Sequence, residues 1–254
     1  MNLFHSLILG IVEGITEFLP ISSTGHMILV SSLLKIPQTD FVKTFEISIQ
    51  LGAIFAIVVL YFKRLITDWD TIKKIIVAFI PTSVIGFILY KFIKLYLIGN
   101  VSVVLWALGV VGFAFIVIEY FQSKRNRVGL SEISCGQAFL IGVAQSLAMI
   151  PGVSRSGATI MGGLLLGIGR KEIVEFSFLL AVPTMVAATG YDLLKSGSVL
   201  TEDMIMPLVI GFMTSFIVAL FVVKWFIKFV QTSTFTGFGI YRIIVATLFL
   251  LFLI

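Results

Sequence analysis

Apolar residues run along this chain in long blocks. Six of them, at about 44–62, 75–90, 101–121, 173–194, 204–223 and 238–254, are long enough to cross a bilayer as helices, since roughly 20 apolar residues span the hydrocarbon core. Pro81, Pro183 and Pro207 fall inside or near the ends of these blocks, positions that membrane helices tolerate. Two further apolar stretches are cut short by turn-formers. One runs from Leu3 to Leu19 and breaks at Pro20-Ile21-Ser22-Ser23-Thr24-Gly25; the other runs from Ala138 to Ile150 and breaks at Pro151-Gly152-Val153-Ser154-Arg155-Ser156-Gly157. Each reads as a half-length helix, a polar break and another short helix. Such segments enter a bilayer and return to the same side, with the irregular backbone facing protein or a cavity.

The two broken segments also resemble each other. At an offset of 132, Gly10 falls on Gly142, Glu13 on Gln145, Ser22 on Ser154, Ser23 on Arg155, Thr24 on Ser156 and Gly25 on Gly157. At nearly the same offset the helix at 45–61 falls on 176–192. The expected architecture is therefore an all-α polytopic membrane protein with about six transmembrane helices and two re-entrant hairpins. It forms a single integral membrane domain, 1–254, made of repeat units at about 1–121 and 136–254. An odd number of spans per unit inverts the second copy relative to the first and brings the two breaks together near the midplane.

Composition agrees with this reading. Of the 254 residues 59% are apolar and only 12% charged, against about 45–50% and 25% in soluble domains, which leaves no room for a sizeable soluble domain. In a soluble protein the net charge of +5 would raise the question of nucleic acid. Here the cations flank apolar blocks, so the charge is a topology signal and no nucleic-acid partner is expected. With the hairpins re-entrant, eleven Lys and Arg fall on one side and five on the other, which makes the first side cytoplasmic and puts the mouth of the first hairpin outside. The segment 1–19 lacks a basic leader and an evident cleavage site, so it is expected to be retained. A single cysteine, Cys135, excludes an intrachain disulfide.

The candidate chemistry lies in the breaks. Glu13 and Glu17 are four residues apart and share one helix face. Two carboxylates at this spacing in hydrocarbon either raise one pKa or hold a cation between them. Ser22-Ser23-Thr24-Gly25-His26 follows, with hydroxyls and a turn that opens a helix, as an anion site requires, and with an imidazole able to exchange a proton. The second break sets Arg155 among Ser154, Ser156 and Thr159, with Gly152 in the turn. A guanidinium among hydroxyls suits a phosphate or diphosphate. Together these groups suggest phosphoryl chemistry on an anionic substrate. Glu46, Gln50, Glu119 and Asp192 lie in or beside spans and are candidates to line the cavity.

The stretch from Glu13 to His26 resembles the glutamate-rich signature of the bacterial undecaprenyl pyrophosphate phosphatases of the bacitracin-resistance type, and 151–159 resembles that family's PGxSRSxxT signature. The resemblance runs nearly end to end. It implies hydrolysis of undecaprenyl diphosphate to the monophosphate, recycling the lipid carrier of cell-wall precursors, in the bacterial plasma membrane with the site facing the periplasm. It also implies Glu13, Glu17, Ser23, His26, Ser154, Arg155 and Thr159 as the active-site set. Arg155, Ser154 and Thr159 are expected to hold the diphosphate, with Ser22, Thr24, Gly152 and Ser156 beside them. Glu13 and Glu17 are expected to hold Mg²⁺ or Ca²⁺. Ser23 would be the nucleophile with His26 as its base, or metal-bound water would attack directly. A homodimer is compatible with the sequence. A lipid phosphatase of the acid-phosphatase type needs two site histidines, whereas this chain has His5 and His26 and none after the Arg155 motif. The alternative from another class is a polyprenyl-phosphate transporter or flippase, for which the inverted repeat argues.

Overall fold

The computed structural model describes residues 1–37, 39–97, 100–122, 133–196 and 202–253. Among these, regular structure is helical throughout: α1 (Leu3–Thr16), α2 (Ser23–Leu33), α3 (Asp40–Leu60), the short α4 (Phe62–Thr67), α5 (Trp69–Tyr96) and α6 (Val101–Gln122). There follow α7 (Cys135–Gln145), continued by a 3₁₀ turn at Ser146–Met149, then α8 (Arg155–Leu165), α9 (Arg170–Ser196), α10 (Glu202–Thr232) and α11 (Thr236–Leu253). Five of these, α3, α5, α6, α9 and α10, are long and apolar enough to cross a membrane, so the chain is a multi-pass membrane protein. The sixth predicted span forms α11, which has 18 residues and at about 1.5 Å per residue is slightly shorter than the hydrocarbon core.

Helices begin where the sequence supplies caps. Asp68 Oδ1 accepts from Thr71 N at 3.1 Å ahead of α5. Ser134 and Gln137 form a reciprocal capping box at the start of α7, with bonds of 3.1 and 2.9 Å, which is why that helix starts three residues before the predicted stretch. Pro81, Pro183 and Pro207 all lie inside continuous helices.

The two broken segments share one backbone geometry. Ser22 has φ 72° and Ser154 φ 78°, a region that L-residues other than glycine rarely enter and that concentrates at functional sites. Each is the N-cap of the helix that follows, accepting from Gly25 N at 3.3 Å and from Gly157 N at 3.2 Å. The second half-helices end alike, with a positive φ at Lys35 and at Gly167. In both cases the next residue's N–H reaches back, Ile36 N to Ser31 O at 2.9 Å and Ile168 N to Gly163 O at 3.0 Å, which closes the helix as a Schellman turn. All of these pairs keep the offset of 132 seen in the sequence.

Packing repeats as well. α1 lies on α10, α7 lies on α5, and α6 crosses α11. A Cβ on Gly10 would stand 2.8 Å from Gly211 O of α10, and one on Gly142 would collide with Ala78 O of α5. Thr82 Oγ1 of α5 donates to Gly142 O at 2.7 Å across the same contact. At the α6–α11 crossing a Cβ on Gly112 would meet Gly239 O at 2.7 Å, and one on Gly239 would meet Gly112 O at 2.5 Å. Helices in lipid associate through such small-residue contacts because no hydrophobic gain remains to be made.

Gly142→Ala is therefore expected to lower stability in detergent by about 1–3 kcal/mol through overpacking. Gly109→Ala, where an added Cβ meets nothing within 4 Å, should leave stability unchanged or raise it by less than about 1 kcal/mol. Thermal melts of the two purified variants beside the parent chain check the contrast.

Candidate active site

The tips of the two broken segments meet inside the bundle, and Glu17 is their junction. It caps the C-terminal end of α1, with its side chain 4% exposed. Its Oε1 accepts from Arg155 Nη2 at 2.7 Å, and its Oε2 accepts from Ser23 Oγ at 2.7 Å. One carboxylate thus joins the hydroxyl at the first residue of α2 to the guanidinium at the first residue of α8. Arg155 also donates through Nη1 to Ser177 O of α9 at 3.1 Å, and its guanidinium carbon lies 5.7 Å from the centre of the Phe18 ring. Its Nε is buried and has no partner.

Glu13, one helical turn earlier, is 1% exposed, and its Oε1 has no partner. It shares a helix face with Glu17, and Glu46 of α3 is among the charged groups around it. Two carboxylates this close need a proton or a cation between them. Among the described residues no group of three or more His, Cys, Asp and Glu side chains converges on one point. A cation at the Glu13–Glu17 pair would therefore draw its remaining ligands from water or phosphate oxygens, as Mg²⁺ commonly does.

Other predicted residues take different places. Ser22 and Ser154 spend their hydroxyls on the caps described above. Ser156 is fully buried and donates to Leu19 O at 2.9 Å, tying the second tip to the first. Thr159 is fully buried too, and its hydroxyl contacts Arg155 O, Ser156 O and Ser177 Oγ. It supports α8 from within and ties it to α9. Thr24 is exposed. Gly152, with φ 95°, occupies a turn where a Cβ would meet Val104 O at 2.5 Å.

The largest difference from expectation concerns His26. Its Nδ1 contacts Ser22 O at 2.8 Å and its Nε2 contacts Tyr241 OH at 2.7 Å. Both ring nitrogens are occupied, and the group bonded to Ser23 is Glu17. The reason is local: Ser23 opens α2 and its side chain reaches back toward the end of α1, while His26 turns toward α11. Of the other polar residues expected along a cavity, Glu46 stands near Glu13 and Gln50 is half-buried on α3. Glu119 pairs with Arg170 and accepts from Phe235 N at 3.0 Å, so it fastens α6 to α9 and to the start of α11. The Asp192 side chain lies outside the described residues.

Residues 6–248 match the profile of a family described as bacitracin resistance protein BacA. The chain belongs to that family. Among the most similar relatives of this BacA-family chain are proteins named undecaprenyl-diphosphatase. The one from Aquifex aeolicus is 55% identical, with 99% of each chain covered. That from Wolinella succinogenes is 52% identical over 100% of this chain and 99% of the relative, and that from Persephonella marina is 52% identical over the whole of both.

Sequence reasoning passed over the BacA-family chain's Arg242, the largest fully buried side chain. Among the described residues it has no carboxylate as a hydrogen-bond partner and donates instead to carbonyls: Pro20 O at 3.0 Å on the first tip, Gly152 O at 2.7 Å on the second, and Leu108 O and Ala107 O at 3.3 and 3.4 Å on α6. A guanidinium presents five donors in a fixed fork, enough to hold three segments at once. The signal was available, because Arg242 is the one charged residue in the block at 238–254, and an ionisable group inside a span marks a site by default. Arg242→Leu would leave those carbonyls without donors and is expected to cost at least about 1–3 kcal/mol. Arg242→Lys, a point charge in place of the fork, should recover only part of the loss. Melting temperatures of the two variants in detergent read the difference.

Proposed function

We propose that the protein is a membrane phosphatase that hydrolyses undecaprenyl diphosphate to undecaprenyl phosphate and inorganic phosphate at the junction of the two tips. The observation that carries this reading is the bridge through Glu17, which places a serine hydroxyl and a buried arginine on the two sides of one carboxylate. The relatives' printed name supports the substrate. Recycling of the lipid carrier and resistance to bacitracin follow from that reaction. The names are those of hydrolases, and no observation favours the transport alternative.

In this reading Ser23 Oγ attacks the terminal phosphorus as its proton passes to Glu17 Oε2, and the bond from that phosphorus to the bridging oxygen breaks, so that undecaprenyl phosphate leaves. Water then attacks the phosphoserine, frees phosphate and restores the hydroxyl. Glu17 replaces His26 as the base for Ser23 because it is the group within hydrogen-bond distance. Arg155 holds the diphosphate oxygens, with its unpartnered Nε as a spare donor and the N-termini of α2 and α8 beside it. Mg²⁺ or Ca²⁺ fits the Glu13–Glu17 pair, where the orphaned Glu13 Oε1 is a ready ligand, and when bound would offset charge on the diphosphate.

The repeated backbone of the tips and the paired crossings support two inverted units, about 1–121 and 136–254, within one membrane domain. The excess of cations on one set of loops supports a site facing the periplasm in the plasma membrane. Of the residues in that count, Lys124, Arg125 and Arg127 lie outside the described residues, as do the side chains of Lys91, Lys94 and Lys195.

Purified protein in detergent is expected to release phosphate from polyprenyl diphosphates, and a chelator should suppress the release. Absence of release from folded protein with added divalent cation overturns the assignment. Arg155→Lys should lose roughly 100-fold in turnover, the scale for losing a donor that stabilises developing charge. A phosphoseryl peptide containing Ser23 should be trapped by rapid quench, whereas near-normal turnover of Ser23→Ala would transfer the attack to water.

A further inference from the structure

The imidazole of His26 has a partner that the reaction as derived does not use. We propose that Tyr241 is a positioning residue for this hydrolysis, acting through His26, and that the two form a proton-handling pair separate from Glu17 and Ser23. This inference rests on the functional reading above and names a further residue within the same site.

The hydrogen bonds select one tautomer of the neutral ring. Ser22 O can only accept, so Nδ1 carries a proton. In the neutral imidazole Nε2 is then the lone-pair nitrogen, and the Tyr241 hydroxyl donates to it at 2.7 Å. A phenol both donates and accepts. If Nε2 takes a proton the same hydroxyl turns and accepts, so the contact persists in both charge states of the ring. Phenylalanine could do neither. The rings lie parallel, with centroids 5.6 Å apart and an interplanar angle of 6°, which fixes the imidazole plane as well as its edge.

The neighbouring residue keeps the donor in register. Tyr241 precedes Arg242, whose bonds to Pro20 O and Gly152 O lock this part of α11 onto both tips. The hydroxyl therefore cannot drift relative to Ser22 and His26. Exposure gives the pair a direction: His26 is 9% exposed and Tyr241 41%, so the pair runs from the buried tip to the surface of the bundle. It is assembled from residues 215 positions apart, next to the helix start that carries Ser23.

The test uses the purified full-length protein. Tyr241→Phe removes one oxygen and should lower kcat about fivefold, the value of one hydrogen bond, with KM within about twofold of the parent. In a His26→Ala background the same change should have no further effect, because the interaction it removes is already gone. The chain has two histidines, so ¹⁵N-histidine labelling gives two imidazole signals. One should report a neutral ring protonated at Nδ1, with an Nε2 shift that moves in Tyr241→Phe while the His5 signal stays. The spectrum of the unaltered protein tests the pair even if the variant does not fold.

The inference is overturned if Tyr241→Phe keeps the parental kcat, if it loses the same factor with and without His26, or if His26 is protonated at Nε2 alone. Parental kcat in His26→Ala overturns it too, and leaves the hydrolase reading to the Ser23 and Arg155 variants. If the parent protein releases no phosphate the functional reading fails, while the spectrum still decides the hydrogen bond.

Discussion

The structure depends on pairing Arg155 with Glu17 inside a bundle whose outer surface faces lipid. Removing one partner of a buried pair costs on the order of 3–5 kcal/mol, because the other is left as an uncompensated charge. These two come from segments 138 residues apart. Each segment must stop its helix within the bundle and expose backbone there, and that backbone must be satisfied from within the protein. The positive-φ serines that cap α2 and α8, the Ser156 bond to Leu19 O and the carbonyl contacts of Arg242 all answer that requirement. The glycines of α1 and α7 answer it as well, since the tips can meet only if their supporting helices lie close on α10 and α5.

Arg242 and Arg155 divide the work between them. Both are buried arginines at the junction, but Arg242 is spent on carbonyls and Arg155 on a carboxylate and one carbonyl. The first is a permanent strut, because its donors face groups that a substrate does not replace. The second is bonded to a group of its own kind of ligand, a carboxylate, and a diphosphate offers the same guanidinium more oxygen and more negative charge. In the proposed reaction, an anion that takes Arg155 leaves Glu17 to accept from Ser23 alone. The proposed hydrolysis thus couples binding of an anion to activation of the hydroxyl through one side chain.

Much of this was legible in the sequence. Apolar block lengths gave the long helices, Pro and Gly with hydroxyl residues marked the two tips, and the offset of 132 showed that the tips share a geometry. Convergence of Glu17 with Arg155 followed from treating the segments as inverted copies. What escaped were contacts set by helix rotation and tertiary register. Ser23 and His26, three positions apart, suggested a nucleophile and its base. As the first residue of its helix, however, Ser23 lies beside the end of α1, and His26 finds Tyr241 across the bundle. Thr159 likewise belongs to the motif by spacing, but the rotation of α8 turns it against Ser177. Arg242 was visible as a charge within an apolar block, though its role as a link between both tips requires the fold.

The two tips show why a repeated backbone carries unlike residues. At the offset of 132, Glu13 corresponds to Gln145, Glu17 to Met149, Ser23 to Arg155 and His26 to Ala158. Had both copies kept the first set, four carboxylates would face one another in a low-dielectric interior with no guanidinium on either tip to pair them. Two copies of the second set would bring arginines together with nothing to pair them. Placing the acids and hydroxyl on one tip and the guanidinium on the other removes both conflicts and creates the bridge through Glu17. The position freed of charge has a structural use instead: Gln145 is buried and donates to Thr82 Oγ1 at 2.9 Å and to Thr184 Oγ1 at 3.2 Å. It thus ties α7 to α5 and α9, so the residue that stands where the other tip has an acid holds the support on which the arginine-bearing tip is aimed.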